Sequence, residues 1–362
     1  MRALHQLTAG FAKSDAISNE ALALRKVFRS WGLESDLFSE TKRILPELRR
    51  EVRDVSACAA SVKPDDLALL HLSIGSPVNL AFRALPCRKA ILYHNVTPPA
   101  FYERLNPSTA WSLEQGLAQV RALAGVAELN LAVSRFNAAE LTALGYRDVR
   151  VFPLVFDPAR LREAPDRRVL RELRDGRVNI LFVGRVVPNK RIEDVLLAFA
   201  HFQKAVEPES RLVLVGSWAG CERYRQVLAS QVRRLGLRQV LFMGSVPQPA
   251  LHAAYDAADL FLCLSEHEGF CIPLLEAMAH GVPVLAYAAA AVPETMDGAG
   301  VLVARKEYPE LAELMGRLAR DPVLRAAVRA GQEARVKRYF ARDLAAELRG
   351  LLEPWLNSRC CP

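Results

Sequence analysis

Short apolar runs alternate with longer stretches of helical periodicity along the whole 362-residue chain. Strand-length runs of Val, Leu, Ile and Phe, each followed by apolar residues three and four apart, predict a parallel sheet covered on both faces by crossover helices. In the first half the predicted strands are residues 1–7, 67–72, 89–93, 129–133 and 149–152. The second half restarts the pattern with VNILFVG (178–184), RLVLVG (211–216), QVLFMG (239–244), DLFLCLS (259–265) and VPVLAY (282–287). Between the halves, residues 156–179 carry prolines and charges without apolar periodicity, which reads as a linker followed by a polar helix. The expected division is a first α/β domain over 1–165, a second over 166–338, and a C-terminal helix and tail over 339–362. Residues 322–352 read as helical, with Val323, Leu324, Val328, Val336 and Phe340 as the apolar positions.

Composition narrows the picture. No run approaches the roughly 18–20 apolar residues of a membrane span, and the first 15 residues lack a leader's apolar core, so a cytoplasmic protein is expected. The seven cysteines form no Cys-x-x-Cys pair, which predicts reduced, mostly buried thiols rather than zinc ligands or disulfides. Cys360 and Cys361 stand next to the final Pro362 and receive no role. The formal charge of +8 suits an anionic partner, but it is spread evenly, with 21 Lys/Arg against 17 Asp/Glu up to residue 165 and 27 against 23 after it. That spread argues against a nucleic-acid surface. One segment, TKRILPELRREVRDVSACAAS, places Lys42, Arg43, Arg49, Arg50 and Arg53 around Ile44, Leu45, Leu48, Val52 and Val55. It reads as a basic amphipathic helix that lies either on anionic lipid, at the cytoplasmic face of the inner membrane, or on its own domain.

In a doubly wound sheet, ligands bind beyond the carboxyl ends of the strands, so the following loops carry the candidate chemistry. After Gly184, GRVVPNKR puts Arg185 and Lys190 before an amphipathic helix, an arrangement suited to a diphosphate or, more blandly, to a solvated loop. EHEGFCIPLLE follows another strand. Gly269 permits close backbone approach and Pro273 suits a first helical turn, so a helix begins near Ile272. Glu268 then lies in the loop and Glu276 near the end of the first turn. Free amides around Gly269, Phe270 and Cys271 would meet an anion, and Glu276 would either accept from sugar hydroxyls or merely favour the helix dipole. A metal at Glu266, His267 and Glu268 is disfavoured, because neighbours in an extended loop point alternately and no complementary His/Asp cluster appears. The sequence holds no Asp-x-Asp, so Arg185 and Lys190 would have to balance a diphosphate. In the first half, KAILYHNVTPP leaves His94 at a strand end. TAGFAKSDAISNEALAL offers Gly10 for backbone approach to phosphate, with Ser18 or Asn19 as helix cap.

Taken in order, VGRVVPNKRIEDVLLAF, LVLVGSWAG, VLFMGSVPQPALHAAYDAADLFLCLSEHEGF, IPLLEAMAHGVPVLA and VPETMDGAGVLV resemble the retaining nucleotide-sugar glycosyltransferases of family four, of GT-B architecture. The first half resembles them less closely, through TAGFAKSDAIS, YHNVTPP and VSRFNAAEL. The resemblance implies two facing Rossmann-like domains with a cleft between them, donor bound mainly by the second and acceptor by the first. It implies metal-independent hexosyl transfer with retention, no cofactor, and a glycan or lipid-linked acceptor, with GDP-mannose and then UDP-glucose as expected donors. Arg185 and Lys190 match the cations on the donor diphosphate, Glu268 the carboxylate on the transferred sugar, and Glu276 the one on the ribose. Gly184, Gly269, Phe270 and Cys271 match donor-site backbone, Val246 the seat of the base, His94 a histidine near the sugar, and Gly10 the N-terminal phosphate loop. The alternatives are a binding protein of the same fold without turnover, and a nicotinamide oxidoreductase, which lacks its glycine fingerprint here.

Overall fold

A computed structural model describes residues 3–12 and 15–357. Met1 and Arg2 of the first predicted strand, and Cys360 and Cys361, lie outside the described residues. The chain forms two compact units, one made of the chain through Ala100, Ser108–Asp157 and the chain from Arg342 onward, the other of Phe101–Pro107 and Pro158–Ala341. Each is built on one parallel sheet, as the alternation of runs predicts. Among the described residues no helix is long and apolar enough to cross a membrane.

The first sheet has seven strands: β1 (Leu4–Thr8), β2 (Leu37–Ser39), β3 (Arg53–Asp54), β4 (Leu67–Leu72), β5 (Arg88–Tyr93), β6 (Leu129–Ala132) and β7 (Val149–Val151), in the order β3-β2-β1-β4-β5-β6-β7. β1 and β4 are buried at every position because helices cover both faces. The polar residues they bury therefore need partners inside the unit. Thr8 lies opposite His71, and His71 opposite Leu92. Side chains alternate across a sheet, so Gln6, His71 and Leu92 share one face, and His94, whose amide bonds the Leu72 carbonyl at 2.9 Å, continues that row.

β2 and β3 have three and two residues and escape a search for apolar runs. The predicted amphipathic helix over 42–55 does not form. Those residues make two 3₁₀ turns, Thr41–Arg43 and Pro46–Leu48, and then β3. Pro46 lacks the amide that a continuing helix needs. Ile44 and Val52 pack instead with Phe11, Ala21 and Leu37 in the unit's own core.

The second sheet has six strands: β8 (Val178–Val183), β9 (Ser210–Val215), β10 (Val240–Gly244), β11 (Leu260–Cys263), β12 (Val284–Tyr287) and β13 (Val301–Val303), in the order β10-β9-β8-β11-β12-β13. The order reverses at β8, where β11 pairs on the side away from β9. The ends of β8, β9 and β10 close on three glycines, Gly184, Gly216 and Gly244, at φ 151°, 144° and 69°. Gly216 donates to the Gly244 carbonyl at 2.9 Å. A Cβ at Gly216 would stand 1.9 Å from the Gly184 carbonyl oxygen. Along the helix Pro322–Phe340 the expected apolar positions Leu324, Val328, Val336 and Phe340 are half-buried, but Val323 is 78% exposed and the fully buried residues are Gln332 and Tyr339. Gln332 accepts from the Val284 amide at 2.9 Å and donates to the Val282 carbonyl at 2.8 Å, docking the helix on the backbone leading into β12.

Gly216→Ala should lower unfolding stability by about 2–4 kcal/mol, combining overpacking against Gly184 with a forbidden φ. Urea denaturation followed by tryptophan fluorescence checks it, and Gly236→Ala, at φ 64° with nothing within 4 Å of its Cβ, is the control for a left-handed residue without overpacking.

Candidate active site

The loops after β8 and β11 are neighbours because their strands pair at the reversal point of the second sheet. Asn189 stitches them together. Its amide donates to the His267 carbonyl at 3.0 Å, its own carbonyl accepts from the Glu266 amide at 3.0 Å, and the Tyr102 hydroxyl donates to its side-chain oxygen at 3.3 Å. The next residue, Lys190, thereby meets Glu268 in an ion pair whose side chains are 19% and 7% exposed. Burial opposes the Lys190 charge, yet the Glu268 carboxylate overrides it and raises the ammonium pKa. Arg185 is exposed, donates to the Ala219 carbonyl at 3.2 Å, and has no acidic partner among the described residues.

Glu266 belongs to a different set of contacts. It is bound by Arg191 at 3.2 Å and Lys306 at 2.8 Å, and both cations also hold Asp194. This ion-pair network fastens the loop. His267 is buried, which lowers its pKa to about 4 and leaves a neutral ring.

Cys271 sits at φ 74° as the residue before the helix Ile272–Ala279, which starts where Pro273 predicts. For a residue with a side chain, that conformation costs about 1–2 kcal/mol. The carbonyls around it are engaged: the Ala291 amide donates to Glu268 at 3.2 Å, and the Thr295 hydroxyl donates to Phe270. The Phe270 ring is buried against Tyr339. The amides of Gly269, Phe270 and Cys271 donate to nothing among the described residues, so a rigid loop presents three free N–H groups at a helix start. The Cys271 thiol lies beside that of Cys263, and this neighbour lowers the Cys263 pKa and raises that of Cys271.

Glu276 is partly buried one turn into that helix. It accepts from the Tyr255 hydroxyl at 2.9 Å, and burial raises its pKa. Val246, beyond the end of β10, is half-buried. The second unit also has a cavity of about 520 Å³, but it lies by the amino ends of β8 and β12, lined by Arg174, Arg177, Arg325 and Arg329, and of the residues above only Tyr255 reaches it.

The structure places His94 and Gly10 in the first unit, at the carboxyl ends of β5 and β1. Gly10 has no positive φ, and the backbone beyond it pairs with residues 43–45 through Phe11 at 2.9 and 3.1 Å. The helix Ala16–Ser30 is capped by Asp15, not by Ser18 or Asn19. Ser18 is too far inside the first turn, and its hydroxyl donates to the Asp15 carboxylate at 2.7 Å. His94 is buried with His71 and Glu20. Sequence reasoning passed over these two, together with Gln6, Asn189 and Tyr255. The strand-end position of His71 in LALLHLSIGSP was the available signal for one of them.

Two groups of side chains among the described residues bring ligand-type atoms within 4.8 Å: Glu20, His71 and His94, and Cys263, Glu268 and Cys271. In the first, the approach is a hydrogen bond between the two rings at 3.0 Å. In the second, Lys190 already holds the carboxylate.

If Asn189 is what holds the two loops in register, Asn189→Ala should cost about 2–4 kcal/mol, because it leaves the buried His267 carbonyl and Tyr102 hydroxyl unsatisfied. Urea denaturation measures the loss, and Tyr102→Phe should recover part of it in the double variant.

Residues 166–337 match the family model for glycosyl transferases group 1. The chain is 37% identical over 112 residues to a GDP-mannose-dependent alpha-mannosyltransferase of Mycolicibacterium smegmatis, covering 31% of this chain and 26% of that protein. It is 35% identical over 202 residues to a D-inositol 3-phosphate glycosyltransferase of Thermobispora bispora, covering 54% of this chain and 46% of the relative. The matched part thus spans about a quarter to about half the length of these curated relatives. In fold it is similar to Anabaena Alr3699/HepE, crystallised with UDP and glucose, at a TM-score of 0.75 and 18% identity over 99% of this chain and 100% of that one. The matched range includes both switch-point loops, with Arg185, Lys190 and Glu268 on them. Residues 166–337 are thus the part of this chain that is similar to the glycosyl transferases of group 1.

Proposed function

We propose that the protein is a retaining, metal-independent hexosyltransferase that moves mannose or glucose from a nucleotide diphosphate sugar to a glycan or lipid-linked acceptor. The observation that carries this reading is the Lys190–Glu268 pair at the sheet's reversal point, with Arg185 on the same loop as Lys190 and three free amides at residues 269–271 beside Glu268. Diphosphate chemistry needs the cations and amides; sugar hydroxyls need the carboxylate.

In the resting site Lys190 is matched by Glu268. An arriving diphosphate offers Lys190 a second anion, and a sugar offers Glu268 hydroxyl donors in exchange. Arg185 and Lys190 then hold the departing diphosphate, so that no divalent ion is required of this chain. Retention follows if the acceptor attacks the face from which the diphosphate leaves, with a leaving-group oxygen taking the acceptor proton. Glu276, held by Tyr255, accepts from the ribose hydroxyls. A GDP-mannose-dependent relative supports GDP-mannose as the first donor to try, and the UDP and glucose held by a structural neighbour support UDP-glucose as the second.

A donor panel assayed for nucleotide release tests the reading: GDP or UDP release from the matching sugar, undiminished by EDTA, is expected. Tight nucleotide binding without release from any donor and acceptor would favour a binding protein instead. Lys190→Ala should lower kcat/KM for the donor by about 100- to 1,000-fold, the usual effect of removing one transition-state charge partner. Glu276→Ala should raise donor KM about tenfold with a smaller change in kcat, because ribose contacts act equally before and during transfer. Steady-state kinetics on both variants separates the two roles.

A further inference from the structure

One buried cluster in the first unit is unexplained by the donor chemistry. Gln6 of β1, His71 of β4, Glu20 of the helix Ala16–Ser30 and His94 beyond β5 are 0%, 0%, 0% and 8% exposed. The Gln6 side-chain amide donates to the Ala21 carbonyl at 3.0 Å, which turns its oxygen toward His71 Nε2 at 2.9 Å. An oxygen there accepts, so His71 carries its proton on Nε2 and its Nδ1 is a bare lone pair. His71 Nδ1 lies 3.0 Å from His94 Nε2. One proton must lie between those nitrogens, and it comes from His94.

Glu20 completes the cluster. One of its oxygens accepts from the Val155 amide at 2.7 Å; the other has no hydrogen-bond partner and lies 3.4 Å from His94 Nε2. The His94 ring is then Nε2–H, and its Nδ1 is left as a buried acceptor with no partner among the described residues. The backbone is fixed as well: Asn95 follows at φ 95°, held by Asn137 at 3.0 Å and Glu140 at 3.1 Å. The titratable groups facing His94 are His71 and Glu20, while Glu140 is taken up by Tyr93 and Asn95.

We propose that Gln6 and His71 are positioning residues that fix His94 as the Nε2–H tautomer and so present its Nδ1 lone pair to a hydroxyl group of bound substrate. The ligand is selected by polarity: a sugar hydroxyl can donate to Nδ1, whereas a phosphate or carbonyl oxygen would meet a lone pair and be turned away. The substrate side of this inference rests on the hexosyltransferase reading; the tautomer does not.

Two measurements test it. In the full-length ¹⁵N-labelled protein near pH 7.5, side-chain imidazole spectra should show His71 and His94 both protonated on Nε2, whatever the catalytic activity. A neutral His94 with its proton on Nδ1 overturns the proposal. The second measurement compares His71→Asn, whose side-chain oxygen can still accept from His94, with His71→Leu, which offers nothing. Where the wild type releases nucleotide, His71→Asn should keep kcat within about threefold and the Nε2–H tautomer, whereas His71→Leu should lose about tenfold or more in kcat and show mixed tautomers, the cost of one unmade buried hydrogen bond. Equal kcat and an unchanged His94 tautomer in both variants would reduce the cluster to packing and overturn the proposal. A wild type that releases no nucleotide but shows the assigned tautomers would count against the transferase reading alone.

Discussion

Parallel pairing of β8 with β11 is the constraint on which the second unit's site depends. The two strands are far apart in sequence, yet Leu260 lies opposite Ile180 in the sheet. That adjacency brings two loops side by side with backbone groups still unpaired, and Asn189 satisfies them from both directions. Without the pairing, Lys190 and Glu268 have no reason to meet. With it, one cation and one anion are partly withdrawn from water at the place where a helix start offers its amides.

Electrostatics divides the loop residues into those that hold and those that are held in reserve. Arg191, Lys306, Asp194 and Glu266 neutralise one another and fasten the loops. Among the described residues Arg185 and the 269–271 amides are left without such partners, and Lys190 has a partner that a ligand can replace. The first unit follows the same logic with neutral groups. Burial raises Glu20 to about 8 and lowers His71 to about 3 and His94 well below its usual value, so that the cluster avoids stacking charges inside the sheet. Hydrogen-bond direction, rather than charge, then does the ordering.

Much of the fold could be read from the chain because apolar runs of four to seven residues report strands directly. The short strands β2, β3 and β13 could not, since two or three residues carry no period, although the equally short β7 was found. Residues 42–55 misled for a related reason: charges around an apolar stripe look alike whether the stripe faces lipid or, as Ile44 and Val52 do, a core. Pro46 was the local sign against a helix. At the site, local rules placed the start of the helix after Cys271 correctly, because proline and glycine act within one turn.

The sequence by itself determined the two parallel α/β units, the loops at their strand ends, and the residue types on those loops, because periodicity and turn chemistry are local. Only the tertiary structure decided that Lys190 pairs with Glu268, that Glu266 is a fastener, and that Gln6, Glu20 and His71 surround His94. Those relations join residues dozens of positions apart, and they are set by strand order and register, which no local pattern encodes.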